Sequence, residues 1–176
     1  MSNSYTANNT PENKNFLSPL NYKFLLKRAP HINFFTQNVK IPSISLPYPE
    51  PNNPFVKDPQ PGDHLIYEPL QIVFKVDEDL QNYLEIRNWL VALGFPESFD
   101  QYEDLYDRDD WTGESIYSDI SVMALTSHQN ANYEFTFVDC MPNSLSSISF
   151  NSTDPDVNFI TATASFKYTY FTIKAI

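Results

Sequence analysis

Cysteine, glycine and basic residues are scarce in this 176-residue chain, which has 1 Cys, 3 Gly and 11 Lys+Arg. A single cysteine, Cys140, cannot close an internal disulfide, so a secreted disulfide framework is excluded. The few glycines form neither a GxxxxGK nor a GxGxxG phosphate cradle. With 22 Asp+Glu the net charge is −11, which disfavours a surface that wraps DNA or RNA, because phosphate binding needs a basic footprint. No apolar run approaches the roughly 18–20 residues of a membrane-spanning helix, so no membrane partner is expected. The polar start, Met1 to Asn15, lacks the charged-then-apolar layout of a signal peptide and reads as a flexible arm over residues 1–15. What the chain does have is 14 Phe, 11 Tyr and 41% hydrophobic residues, enough to build a sizeable core. The length suits one domain, here 16–176.

The acidity is local. Between Glu97 and Asp119 lie nine acids and one base, Arg108, for a local charge of −8; the remaining 13 acids and 10 bases give −3. This acidic insertion, centred on 97–116, includes Glu103, Asp104, Asp107, Asp109 and Asp110, with Trp111 among them.

Two apolar segments, Asn21–Lys27 and Ile32–Ile41, read as a hairpin joined through Pro30. Eight prolines then fall between Pro42 and Pro69, and proline fixes φ and lacks an amide donor. Over 42–61 the chain therefore reads as an extended arm. Ile44, Leu46, Tyr48, Phe55 and Val56 are apolar enough to seek burial against a neighbour, which favours an ordered arm over a disordered loop. Leu70, Ile72, Phe74 and Val76 alternate as one face of a strand. The period then changes: Leu80, Tyr83, Ile86, Leu90 and Leu93, widened by Leu84, Trp89 and Val91, predict a helix N-capped at Asp77 and ended by Gly94 and Pro96. A short helix near Phe99–Tyr106 follows. Strands are expected at Ile116–Thr126, Tyr133–Cys140 (Tyr133, Phe135 and Phe137 on one face), Ser144–Asn151 and Val157–Ile173, with turns at Ser127–Asn130, Met141–Asn143 and Asp154–Asp156. In the last strand Ile160, Ala162, Ala164, Phe166, Tyr168, Tyr170 and Thr172 are expected to face the core. The predicted fold is mainly β with one central α-helix: an antiparallel sandwich or open barrel.

Catalytic chemistry finds little support. His31, His64 and His128 sit at or beside predicted turns and share no metal-ligand spacing. Cys140 closes an apolar strand without basic neighbours and reads as a buried structural thiol. The run Asp107–Glu114 concentrates carboxylates, yet counted as an EF-hand its Gly113 falls one place late and Trp111 occupies a ligand position. Asp77, Glu78 and Asp79 are accounted for by the helix N-terminus. No catalytic residue, metal site or cofactor is expected. One alternative from another class is a carbohydrate-binding or hydrolytic sandwich, with Trp111, Tyr102 and Tyr106 stacking on sugars beside nearby acids.

The order of elements resembles a known family. It comprises the early strands, "IPSISL" at 41–46, the extended arm, "PGDHLIYEPLQIVFKVDEDLQNYLEIRNWLVALGFP" at 61–96, and "FTFVDCMPNSLSSISFNSTDPDVNFITATASFKYTYF" at 135–171. Over roughly Asn21–Ile173 this is similar to the tail-tube proteins of contractile-tailed, T-even-type bacteriophages, and above all to their tail completion or tube-terminating relatives. The resemblance implies a hexameric ring of this chain, its sheets closing into a barrel around a channel that passes DNA without specific binding. Tail tube, sheath or neck proteins would be its partners. The location would be the virion tail, after assembly in the host cytoplasm. The acidic insertion departs from a stackable tube subunit, so a ring used once at a tube end is expected ahead of the repeating tube monomer. It also offers either a channel lining that repels DNA or an outward docking surface. The candidate interaction residues are Glu103, Asp104, Asp107, Asp109, Asp110 and Trp111 of the insertion and Ile44, Leu46, Tyr48 and Phe55 of the arm.

Overall fold

The computed structural model describes residues 15–52, 54–94, 96–103, 116–153 and 159–176. The strands among them are β1 (Tyr22–Leu26), β2 (Thr36–Lys40), β3 (Ile44–Ser45), β4 (Ile66–Tyr67), β5 (Leu70–Lys75), β6 (Ser118–Leu125), β7 (Ala131–Leu145), β8 (Thr161–Lys167) and β9 (Tyr170–Ala175). Three helices accompany them: α1 (Pro30–Phe35), α2 (Gln81–Gly94) and the single turn α3 (Asp100–Glu103). The leader, apart from Asn15, and residues 104–115 of the acidic insertion lie outside the described residues, as does the expected turn at Asp154–Asp156.

All the strand pairings are antiparallel, as expected, and apart from the small β3–β4 pair they form two sheets that share β7. One sheet runs β1-β6-β7-β9 and the other β7-β8-β5-β2. The strand β7 serves both because it changes partners along its 15 residues. Tyr133–Val138 lies between β6 and β9, whereas Met141–Leu145 pairs with β8. At the crossover Asp139 takes a positive φ of 56°, and the register with β6 slips between Ser118 and Ile120. A local bulge of this kind bends a strand and re-aims its side chains. The companion break between β8 and β9 sits alongside, with the Thr169 amide donating to the Val138 carbonyl at 3.0 Å.

The core fills the space between the two sheets and two helices. From one sheet come Phe24, Leu26, Ile120, Val122 and Phe137, and from the other Leu70, Ile72, Phe74, Ala162, Ala164 and Phe166. Helix α2 adds Ile86, Trp89 and Ala92, with the Trp89 and Phe166 rings 6.2 Å apart. The Trp89 Nε1 donates to the Ile116 carbonyl at 3.2 Å, so the indole buries its area without stranding its polar atom. Burial pushes the Cys140 thiol up to about 12, which makes it an inert structural group, as expected.

Several expectations need correction. The first two strands do not pair: β1 lies against β6 and β2 against β5. The reason is Pro30, which occupies the first helical turn, where its missing amide costs nothing, and converts 30–35 into α1. Asn33 then caps the outer side of β1 at Leu26, accepting from the Leu26 amide at 2.8 Å and donating to the Leu26 carbonyl at 3.2 Å. His31 is therefore helical and meets Glu85 at 2.6 Å, a contact that raises its pKa first through the hydrogen bond and then through the carboxylate charge.

Asp77 is not the N-cap of α2, which starts only at Gln81. The bend ahead of it is held by Asn82, whose amide donates to the Lys75 carbonyl at 2.8 Å and accepts from the Asp77 amide at 3.3 Å. The buried stripe is rotated accordingly to Asn82, Ile86, Trp89 and Ala92, leaving Leu80 and Leu84 at the surface. Met141–Asn143 is not a turn, since β7 runs through it with a bulge beside Pro142. No strand covers 146–151, and the expected long final strand is two strands. Its inward set is right for Ala162, Ala164 and Phe166 and reverses after the break, where Phe171 turns inward and Tyr170 is exposed.

Asn82 gives a direct test. Asn82→Ala leaves a buried carbonyl and an amide without partners, so it should lower unfolding free energy by about 1–3 kcal/mol. The exposed Asn88→Ala should stay within about 0.5 kcal/mol of the parent in the same urea titration. Equal effects of the two would contradict the role given to Asn82.

Candidate assembly surface

The proline-rich arm leaves the body at the end of β2 and returns at the start of β5. Its two halves run side by side. Ile44 pairs with Tyr67 and Ser45 with Ile66, and the Glu68 amide donates to the Ser43 carbonyl at 3.2 Å. Further out the Gln60 amide donates to the Pro49 carbonyl at 3.1 Å, and Lys57 meets Glu50 at 2.6 Å. Gly62 packs so tightly on the returning strand that a Cβ there would lie 2.0 Å from the Pro47 carbonyl oxygen. The two halves thus form a two-ply finger. Its prolines remove amide donors, which explains why only two residues on each side qualify as strand.

The root of the finger is fastened by aromatic packing that the sequence reading did not single out. Tyr67 contacts Tyr168 and Phe171 at ring separations of 5.8 and 5.9 Å, and both of those rings contact Phe137. The Tyr168 hydroxyl donates to the Glu68 carbonyl at 2.9 Å, and burial pushes its pKa up to about 12. These aromatics were legible only as strand alternation; their convergence depends on the β8–β9 break.

Beyond the root the finger carries exposed apolar side chains among the described residues. Ile44, Leu46, Tyr48 and Val56 are exposed, and Phe55 near the tip is 93% accessible. Isolated exposed apolar residues are ordinary, whereas a run of them on one projection makes it a candidate contact surface. A second kind of contact surface lies on the sheets. Neither β2 nor β9 has a partner on its outer side among the described residues, so each presents backbone donors and acceptors.

The other sequence candidates divide differently. Glu103 ends α3, while Asp104, Asp107, Asp109, Asp110 and Trp111 lie outside the described residues. Tyr102 is partly buried against the core, a poor position for a sugar platform. A cavity of about 390 Å³ between Phe16 and the β6–β7 turn holds one histidine, His128, and no acid. No group of three or more His, Cys, Asp or Glu is placed to hold a metal among the described residues.

The arm carries its own test. Gly62→Ala forces the two plies apart at Pro47 and should raise proteolytic cleavage and amide exchange within 43–68. Because Tyr67 alone of these residues reaches the aromatic cluster and none belongs to the buried core, the thermal midpoint should fall by no more than a few degrees. An arm as protected as in the parent would contradict the two-ply description.

No protein-family model matches the chain, and no curated protein matches it by sequence. Solved structures do. A chain of the anti-feeding prophage cap, a tube-terminating cap, superposes with a TM-score of 0.58 at 12% identity, covering 98% of this chain and 99% of that one. A chain of the sheath/tube terminator of the PVC extracellular contractile injection system, in its extended state, gives 0.56 at 14% identity over 93% and 100%. A chain of that system's sheath–tube complex gives 0.55 at 12% over 93% and 94%. The chain therefore has the fold found in tube, terminator and cap assemblies of contractile injection systems, across nearly its whole described length.

Proposed function

We propose that this protein is a structural component of a contractile tail, forming a homohexameric ring at an end of the tail tube. The observation that carries the reading is the combination of the open outer sides of β2 and β9 with a finger whose apolar side chains are exposed among the described residues. Edge-to-edge pairing of β2 and β9 with neighbouring copies satisfies their backbone groups, and a closed ring removes edges altogether. The finger then docks on an adjoining subunit or ring, burying Ile44, Leu46, Tyr48 and Phe55. Similarity to a tube-terminating cap and to a sheath/tube terminator supports the end position, and similarity to a six-fold symmetrised anti-feeding prophage baseplate supports six copies.

The acidic insertion favours a single ring over a repeated one, because each stacked layer of a tube would have to accommodate a −8 segment against its neighbours. Tube, sheath or neck proteins are the partners in this reading, and DNA passes through the channel without sequence-specific contact. The repeating tube monomer is the second reading, favoured by the similarity to a sheath–tube complex.

Electron microscopy of the purified protein separates the readings. Discrete six-fold rings are expected. Long tubes would favour the repeating monomer, and a monomer at all concentrations would overturn both.

A further inference from the structure

The charge of the chain is segregated by sheet face in a way that net charge conceals. On the β2-β5-β8-β7 sheet the core-facing set is Val39, Leu70, Ile72, Phe74, Ala162, Ala164 and Phe166. The opposite face follows from the register. Across the strands it carries Lys40 beside Gln71 beside Ser165, then Asn38 beside Val73 beside Thr163, then Lys75 beside Thr161, with Lys167 next to Met141. Among these paired strand positions of the described residues stand three lysines and no acid, in a molecule whose net charge is −11. None of the three makes an ion pair among the described residues; Lys75 lies 3.7 Å from the centre of the Phe159 ring. The solvent face of the other sheet is different, with Lys23 and Lys174 balanced by Asp119 and Glu134, and Glu134 directly opposite Lys174.

We infer that this lysine face contacts the phosphate backbone of double-stranded nucleic acid, without reading sequence. Its chemistry is that of backbone recognition: ammonium groups interspersed with Thr, Asn and Gln, side chains that meet phosphate oxygens, while Ser165 between them is buried. Four residues along β5 separate the Lys40 row from the Lys75 row, about 13 Å of strand, which spreads the charge along the sheet instead of building one anion pocket.

The inference rests on the ring reading in one respect. Helix α2 covers the other face of this same sheet, so when copies join through their strand edges the thicker helix side takes the larger outer circumference. The lysine face is left lining the channel. One chain offers too few lysines to offset its overall negative charge, whereas a closed ring multiplies them around a single axis. The channel is then weakly attractive to DNA on this sheet, not uniformly repulsive, and the acidic insertion acts elsewhere.

The test uses purified protein with ring formation checked by electron microscopy, and a 30-base-pair duplex of arbitrary sequence as probe. Rings should bind the duplex at low salt, with affinity falling steeply as salt rises. The triple variant Lys40→Gln, Lys75→Gln, Lys167→Gln should bind about tenfold or more weakly. The control Lys23→Gln, Lys174→Gln should bind as the parent does. On the unmutated protein, lysine acetylation should be suppressed by duplex at Lys40, Lys75 and Lys167 and unchanged at Lys23 and Lys174. Rings that ignore the duplex, or acetylation that duplex does not alter at the three lysines, overturn this inference and leave the ring reading intact. A protein that never forms rings overturns the ring reading, and the channel contact with it.

Discussion

Where β7 passes Val138–Cys140, one strand leaves a sheet and enters another, and the neighbouring chain must break in the same place. Asp139 accepts a positive φ there, and the backbone of Thr169 bonds back to Val138. Phe137 is completely buried at this corner, within 5.2 Å of both Tyr168 and Phe171 by ring separation. Large buried aromatics contribute several kcal/mol each through area and packing, and here that contribution fixes the angle between the sheets as well as their stability. The same cluster reaches Tyr67, so the corner also sets the direction in which the finger leaves the body.

That constraint has a consequence for assembly. A shared strand lets two small sheets enclose one core, but it leaves β2, β9 and the part of β1 before Leu26 without a strand partner on their outer sides among the described residues. Asn33 shows how the chain closes an edge when it needs to, since its side-chain amide occupies both backbone groups of Leu26. No comparable device covers β2 or β9 among the described residues. The finger is protected in a different manner, because its prolines remove the donors through which an exposed extended segment would recruit unrelated strands. Closed edges, proline-blocked edges and open edges coexist in one molecule, which is how a protein restricts association to selected surfaces.

Period and turn chemistry carried much of this fold in the sequence. The alternation of Leu70, Ile72 and Phe74, the stripe around Ile86 and Trp89, and the 127–130 turn are all local patterns, and each corresponds to an observed element. Proline density set the segment after β2 apart from the regular strands. The misreadings share a cause. Pro30 served a helix start where a turn was expected, and Pro142 lies inside a strand beside a bulge; in both, tertiary context decided between two uses of the same residue. Asn82 was invisible because a buried asparagine inside an apolar stripe looks like a surface position until its partners, Lys75 and Asp77, are in place. The lysine face was hidden for a related reason. Lys40, Lys75 and Lys167 are far apart in sequence and become neighbours only through strand register, so net charge pointed away from them.

In the proposed ring the open edges and the exposed finger are the assembly surfaces, and amide hydrogen exchange reads these most directly. Compared between dilute monomer and assembled protein, exchange should slow on assembly in Thr36–Lys40, in Tyr170–Ala175 and along the 43–68 finger, while β6 and the β5–β8 pairing, already satisfied within the chain, change little. Assembly that leaves those three segments exchanging as fast as in the monomer would contradict the proposed ring.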